Sequence, residues 1–99
     1  MIQVVISDDA LDDLNVGFWF YETQQAGMGD YFADKLRNDI ETLKQTGGSH
    51  RVTHKNFHRA ISRIFPYAIY YTCEGNDAIV WAVVDCRRDP DWILDRLNQ

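Results

Sequence analysis

Two different spacings of hydrophobic positions divide the chain into halves. Residues 2–6 form a short β-branched run, IQVVI, which predicts a first strand. From residue 8 to residue 46 the apolar side chains recur every three or four positions, as in amphipathic helices. From residue 58 onward they alternate with polar residues, which is typical of strands. The pattern therefore predicts a strand, two helices, three strands and a short final helix.

The helical half contains two amphipathic segments separated by a polar corner at residues 24–29. Ser7 or Asp8 is the expected N-cap of the first helix, and Gly17 is a weak point within it. The apolar stripe of the first helix is formed by Leu11, Leu14, Phe18 and Tyr21. The apolar face of the second is formed by Phe32, Leu36, Ile40 and Leu43, before Gly47-Gly48 closes it. Such a pair predicts a helical hairpin with one shared apolar face.

The strand half contains three candidate strands, at residues 58–64, 67–73 and 78–86. The short connections between them, Phe65-Pro66 and residues 74–77, predict antiparallel neighbours. These turn lengths also predict the register. The expected partners are Cys73 with Ala78, Tyr70 with Trp81, Ala68 with Val83, Ile61 with Tyr70 and Arg59 with Thr72.

This register gives the predicted sheet two faces, because successive side chains point to opposite sides. The uncharged face, expected beneath the helices, consists of Ala60, Ser62, Ile64, Tyr67, Ile69, Tyr71, Val80, Ala82 and Val84. The opposite face consists of Arg59, Ile61, Arg63, Ala68, Tyr70, Thr72, Ile79, Trp81, Val83, Asp85 and Arg87. A bulge or a three-residue loop would exchange the faces of one strand. We therefore expect an α+β fold of order β-α-α-β-β-β(-α), in which a helical hairpin packs on one face of a small, largely antiparallel sheet.

Length and composition exclude several classes of protein. The chain has 99 residues, 45% of them hydrophobic and 25% charged, which fits one globular domain spanning residues 1–99. No apolar run approaches the roughly 18 residues that would cross a bilayer, and the N-terminus does not resemble a signal peptide. We expect a cytoplasmic protein without membrane contact. The two cysteines, Cys73 and Cys86, indicate neither a disulfide scaffold nor a metal site, so neither a metal nor a cofactor is expected.

Charge is distributed unevenly along this acidic chain, whose net charge is -5. Residues 50–73 contain three histidines, no acidic residue and four bases, which are Arg51, Lys55, Arg59 and Arg63. A basic patch on an acidic protein selects partners by its position. A solvated basic strand explains the same stretch equally well.

The second sheet face interleaves arginines with aromatic rings, a combination that can bind phosphate, stack on bases or receive a peptide. Alternatively, Tyr70 and Trp81 form an ordinary cross-strand pair covered by the final helix. That helix is expected to begin at Pro90, with Asp89 as its N-cap. Trp92 and Arg96 lie one turn apart on it and can stack.

Several short motifs along nearly the whole chain resemble those of the RelE/ParE superfamily of toxins from bacterial type II toxin–antitoxin modules, often called plasmid stabilisation proteins. The motifs are Ala10…Asp13-Leu14, Trp19-Phe20-Tyr21, Gly29-x-x-Phe32, Phe65-Pro66-Tyr67-x-Ile69-x-Tyr71 and Arg88-Asp89-Pro90-x-x-Trp92-x-x-x-Arg96. The element order of the superfamily is the one predicted above. The resemblance implies a toxin that is neutralised by a cognate antitoxin.

The superfamily divides by mechanism. RelE-like members resemble metal-free ribonucleases that cut mRNA on the ribosome, whereas ParE-like members look like inhibitors that bind DNA gyrase. Where RelE-like enzymes carry an arginine at the start of the third strand, this chain has Phe65-Pro66-Tyr67, and Asp85 stands near the position of their histidine. An acidic chain is also poorly suited to ribosomal RNA. The resemblance therefore favours the ParE-like branch, a binding inhibitor rather than an enzyme.

Candidate site residues follow from the sheet face that carries arginines and aromatic rings, and from the resemblance to the superfamily. The candidate cationic patch of the ribonuclease hypothesis consists of Arg59, Arg63, Arg87 and Arg88, with His54, Lys55 and His58 as possible proton-transfer groups. The candidate target- or antitoxin-binding residues are Tyr70, Trp81, Trp19, Phe20, Trp92 and Arg96. Trp19 and Phe20 form the candidate antitoxin groove or pack against the first strand or the last helix. Three hypotheses remain open: a gyrase-binding toxin, an mRNA interferase and an inactive homologue. A homodimer or a toxin–antitoxin hetero-oligomer is compatible with each.

Overall fold

The computed structural model describes residues 2–99 and shows an α+β fold. Its elements, in chain order, are β1 (Gln3–Ile6), α1 (Asp8–Glu22), α2 (Met28–Glu41), the single turn α3 (Leu43–Thr46), β2 (Val52–His54), β3 (Phe57–Ile61), β4 (Tyr67–Glu74), β5 (Asp77–Asp85) and α4 (Pro90–Leu97). The strands form one sheet in the order β1-β5-β4-β3-β2. β1 pairs with β5 in parallel and the other pairs are antiparallel. The predicted order is confirmed, with the short edge strand β2 as an addition.

The helical hairpin forms as the sequence predicts. Ser7 caps α1 by accepting a hydrogen bond from the backbone N–H of Ala10 at 3.1 Å. At the corner, Gly27 has a φ of 88°, and the carboxylate of Glu22 accepts hydrogen bonds from the backbone N–H groups of Gly27 and Gly29. The last residue of α1 thus satisfies donors at the start of α2, which have no partner within their own helix.

The apolar faces of the two helices meet the sheet. The four predicted positions of the second helical segment, Phe32, Leu36, Ile40 and Leu43, are all at most 1% exposed. On α1, Leu14 is buried as expected, but Leu11 is 47% exposed because Ala10 occupies the contact instead. Gly17, predicted to be a weak point, is required for packing: a Cβ there would overlap the Phe32 ring.

A bulge in β5 changes the predicted register with β4. Cys73 pairs with Ala78 as predicted, but Tyr70 pairs with Ala82 rather than with Trp81. Ala68 likewise pairs with Val84 rather than with Val83, because the register shifts by one residue between Tyr70 and Tyr71. One extra residue in a strand moves the remaining side chains to the opposite face.

The bulge exchanges the faces of the second half of β5. Val83, predicted on the open face, lies in the core beneath the helices, and Asp85 is paired with Tyr67 on that same side. Ala82 and Val84, predicted beneath the helices, lie in a second cluster on the other face of the sheet. The prediction for these four residues was wrong, because sequence alternation does not show where a strand bulges.

The connection between β3 and β4 is also longer than predicted. Arg59 pairs with Tyr70 rather than Thr72, and Ile61 pairs with Ala68 rather than Tyr70. The turn consists of residues 62–66 instead of Phe65-Pro66 alone, which shifts the register by two residues. A two-residue shift preserves the faces, so Arg59 and Ile61 stay opposite the hairpin. Ile64, predicted to be buried, lies in the turn and is 52% exposed.

Candidate functional site

The face of the sheet opposite the hairpin is partly covered by α4. Leu97 and Ile93 of this helix pack on a small cluster formed by Ala68, Tyr70, Ala82 and Val84. Tyr70 is only 5% exposed, so the predicted binding ring is instead a core residue beneath the final helix. Burial raises the pKa of Tyr70, and the positive charge of Arg59 opposes that rise.

An ion pair with α1 holds α4 in place. Arg96 Nη2 lies 2.7 Å from Asp13 Oδ2, and the backbone N–H of Val83 donates to the same oxygen at 2.9 Å. Burial raises the pKa of Asp13, although the Val83 N–H and the Arg96 charge both lower it. Arg96 therefore joins α4 to α1 and β5. It does not stack on Trp92, although the spacing of the two residues on the helix would allow that contact.

Trp92 is instead covered by Arg88, whose guanidinium carbon lies 4.2 Å from the centre of the indole ring. Such a cation–π contact orients the arginine without neutralising it. The helix that carries Trp92 begins as predicted: Asp89 accepts a hydrogen bond from the backbone N–H of Asp91 at 2.8 Å, and Pro90 occupies the first helical position.

Arg87 is held by the carboxylate of Asp85. Its Nη2 lies 2.7 Å from Asp85 Oδ2 and its Nε lies 3.0 Å from Oδ1, a bidentate pair. The hydrogen bonds from Arg87 lower the pKa of Asp85 against the effect of its partial burial, and the carboxylate raises the pKa of Arg87. Of the two neighbouring arginines, only Arg88 is left without a carboxylate partner in the part of the chain that the structure describes.

Arg88 and Arg59 meet in a cavity between α4 and the sheet, which we call the basic cleft. Its volume is about 260 Å³, and its lining residues are Thr53, His54, Arg59, Tyr70, Cys86, Arg88, Pro90, Ile93, Leu94 and Leu97. A second depression of about 440 Å³, the edge depression, adjoins it through Arg59 and Thr53 and is also lined by Arg51, Val52 and Ile61. No aspartate or glutamate lines either cavity. Positive charge is therefore concentrated here on an acidic protein.

A separate groove runs between α1 and α4, and we call it the α1–α4 groove. It has a volume of about 530 Å³, its apolar lining includes Val16, Phe20, Tyr67, Val84 and Trp92, and its charged lining residues are Asp13, Asp85, Arg87 and Arg88. Burial, together with the nearby Tyr21 and Asp85, raises the pKa of Tyr67 to about 12. Phe20 is 49% exposed and the adjacent Trp19 is 56% exposed, so an apolar surface of α1 borders this groove.

The predicted site residues thus separate into several places. The basic cleft contains Arg59 and Arg88, and the α1–α4 groove contains Phe20, Arg87 and Trp92. Arg63 lies in the turn after β3 and lines neither cavity. Trp81 is 38% exposed, donates its Nε1–H to Thr72 Oγ1 at 2.8 Å and borders a smaller cavity with Arg96. Sequence spacing did not anticipate this separation because it depends on the bulge and on α4.

The three candidate proton-transfer groups are equally scattered. His58 stacks on Tyr71 with ring centres 5.0 Å apart, and its Nδ1 lies 2.7 Å from the carbonyl oxygen of His50. Its side chain therefore has a structural role. Lys55 lies in the β2–β3 turn. Only His54 lines the basic cleft, where its Nε2 lies 3.1 Å from Asn98 Oδ1.

Arg51 lines the edge depression and Asp13 lines the α1–α4 groove, but neither was among the predicted site residues. Arg51 belongs to the acid-free stretch 50–73, and that stretch was the available signal. Asp13 carried no signal apart from its place in the resemblance, because its partners Val83 and Arg96 are 70 and 83 residues away. Within residues 2–99, no three metal-ligating side chains cluster and no helix is long and apolar enough to span a membrane. Both cysteines are free, exposed thiols.

Comparison with known proteins gives a match in structure alone. No protein-family model matches the chain, and no curated protein matches it. The fold is similar to a chain of the solved "Chromosomal ParDE TA system from P. aeruginosa", with a TM-score of 0.80. The match covers 86% of this chain and 96% of that chain at 11% sequence identity. The predicted α+β fold of the ParE-like type is confirmed.

Proposed function

We propose that this protein is the toxin of a type II toxin–antitoxin module in the bacterial cytoplasm. It inhibits growth by binding an essential target, for which we propose DNA gyrase, and a cognate antitoxin neutralises it. The observation that carries the proposal is the similarity to a ParDE chain over nearly the whole length of both chains. Fold alone does not determine function, so the choice between binding and catalysis depends on the residues that line the cavities.

The arrangement of the charged groups supports binding rather than catalysis. RNA cleavage needs a base, an acid and cations around a single phosphate. Here Arg87 is paired with Asp85, His58 is engaged with Tyr71, and Arg63 lies outside both main cavities. The net charge of -5 also disfavours binding to ribosomal RNA. Exposed aromatic side chains such as those of Trp19 and Phe20 are instead enriched at protein interfaces.

One observation favours the alternative, a ribosome-dependent mRNA endonuclease. The basic cleft brings Arg59, Arg88 and His54 together without any acidic residue. Two guanidinium groups can bind a phosphate, and an imidazole can move a proton. The two functions differ in which residues they need, so they can be separated by experiment.

The experiment is expression of the chain in bacteria with and without the neighbouring small reading frame, while growth, DNA breaks and transcript ends are followed. A gyrase-binding toxin stops growth and produces gyrase-dependent DNA damage with intact transcripts, and the neighbouring frame restores growth. Transcript cuts that disappear in both Arg59→Ala and Arg88→Ala, but persist in the matched surface variant Arg37→Ala, would establish the endonuclease instead. Full growth of cells with confirmed expression would show an inactive homologue.

A further inference from the structure

The edge depression holds two like charges opposite each other on neighbouring strands. Val52 pairs with His58, which places Arg51 opposite Arg59, and the backbone N–H of Arg59 donates to the carbonyl oxygen of Arg51 at 3.1 Å. Like charges in this position destabilise a strand pair. Because no acidic residue lines the depression, nothing in its lining offsets the repulsion. A negatively charged partner would relieve it.

The backbone next to these arginines is available for pairing. β2 is at the edge of the sheet as far as the described residues show, with β3 on one side only. Since Arg51 directs its carbonyl group toward β3, the N–H and C=O groups of the next residue, Val52, point away from the sheet. Such groups are a template for an added strand. Val52 is 48% exposed, so a neighbouring chain can reach this edge.

The surface beside the arginines suits a polypeptide better than a nucleic acid. Ile61, which shares their face, is 49% exposed and offers an apolar contact. Proteins that bind single-stranded nucleic acid combine a basic groove with exposed aromatic rings on which the bases stack. Tyr70, the aromatic ring of the adjoining basic cleft, is only 5% exposed, and the indole of Trp92 is covered by Arg88.

We propose that the β2 edge and the edge depression bind an extended acidic segment of a partner polypeptide, which adds a strand to β2 and places carboxylates on Arg51 and Arg59. The segment alternates acidic and apolar residues, because alternate side chains of a strand share one face. Its identification as part of the antitoxin rests on the proposed function. The proposed acidic and apolar character of the segment does not depend on that function.

The test uses the purified full chain and a synthetic peptide of alternating glutamate and valine, followed by backbone amide NMR shifts and by titration. We expect shifts centred on Val52, Thr53, Arg59 and Ile61, and an affinity that falls as salt is raised. Arg51→Ala and Arg59→Ala should each weaken binding about tenfold, whereas Arg37→Ala, an exposed arginine on α2, should not. Because Arg51 lies at the exposed edge, its variant tests the proposal even if Arg59→Ala folds poorly.

A backbone variant separates strand addition from charge attraction alone. Val52→Pro removes the outward N–H and leaves the charge unchanged, and proline is tolerated at sheet edges. Loss of peptide binding in a folded Val52→Pro variant supports the proposal. Unchanged binding there, shifts elsewhere on the chain, no binding of the peptide or tighter binding of an oligouridine at the same residues would each overturn it. None of these readouts depends on toxicity, so the proposal and the toxin function can fail separately.

Discussion

The two faces of the sheet differ in how their side chains are packed. Beneath the helical hairpin the core contains large rings, with Phe32 and Tyr71 fully buried and Phe65 and Tyr67 nearly so. Tyr21 and Phe65 both lie about 5 Å from Phe32, measured between ring centres. Beneath α4 the sheet contributes mainly small side chains, and much of the attachment of the helix depends on the Asp13–Arg96 pair.

Because of this difference, the packed core and the exposed charged side chains lie on different faces of the sheet. A continuous layer of packed rings buries a large apolar area. A short helix covers only part of the opposite face, so Arg59 and Arg88 remain at its margin. We infer that the hairpin face supplies most of the free energy of folding, while the α4 face leaves charged side chains exposed.

The largest expected effect compares one core residue from each face. Phe32→Ala should lower the free energy of unfolding by about 3–5 kcal/mol, since it empties the centre of the ring layer. Leu97→Ala, in the smaller cluster beneath α4, should cost about 2 kcal/mol, the lower end of the range for leucine. Urea denaturation measures both values. Equal costs, or a larger cost for Leu97, would contradict the proposed division.

The second effect concerns the ion pair that holds α4. Arg96→Met leaves the Asp13 carboxylate with one partner fewer and should cost about 1–3 kcal/mol near neutral pH. The folded-state pKa of Asp13 is already raised by burial, so its contribution to stability is full below the ordinary pKa of 3.8 and is lost as the pH rises. Removing Arg96 raises that pKa further, so the cost should shrink in acid.

Urea denaturation at two pH values measures this pH dependence. Arg87→Met is the matched control, because it breaks a second Asp–Arg pair whose arginine side chain is 64% exposed. Exposed pairs contribute little, so its cost should be much smaller than that of Arg96→Met. If the two variants lose the same stability, the Asp13 pair does not hold α4.

The third effect lies at the edge of the hairpin face. The Tyr71 hydroxyl accepts a hydrogen bond from the backbone N–H of Gly48 and lies 2.6 Å from His50 Nδ1. When the imidazole is neutral, this nitrogen accepts a hydrogen bond from the hydroxyl group. Burial, and secondarily the charge of His58, lower the pKa of His50 from 6.5. The unfolded chain therefore binds more protons than the folded chain just below that value.

Stability should consequently fall as the pH drops from 6.5 through the folded-state pKa of His50. The measurement is urea denaturation of the native protein and of His50→Gln across this range. The difference between the two pH profiles isolates the contribution of the imidazole from those of the carboxylates. Identical profiles would contradict the prediction, because they would show that folding does not change the proton affinity of His50.

The smallest effect is expected in the β2–β3 turn, beside the proposed strand-binding edge. Lys55 has a φ of 50°, which is unfavourable for a residue with a Cβ. Lys55→Gly should stabilise the protein by about 0.5–1 kcal/mol. Lys55→Ala removes the same charge but keeps the Cβ, and should not stabilise it. Thermal denaturation compares the variants, and equal gains would assign the effect to charge.

Local patterns determined the order of the elements, the Ser7 and Asp89 caps, the buried face of α2 and the faces of β3 and of most of β4. Each follows from interactions within a few residues, or from a periodicity that one buried face imposes. The ParE-like fold was recognisable because short motifs coincide with these elements.

The tertiary structure alone decided which side chains share a site. The bulge at Trp81 turned Val83 inward and Val84 outward, and α4 covered Tyr70 while drawing Arg96 to Asp13. Contacts between residues 70 or 83 positions apart leave no periodic signal in the sequence, and a one-residue bulge leaves the alternation of side chains almost unchanged. The division between a densely packed face and a partly covered face with exposed charges therefore follows from long-range packing, which joins groups that the chain order keeps apart.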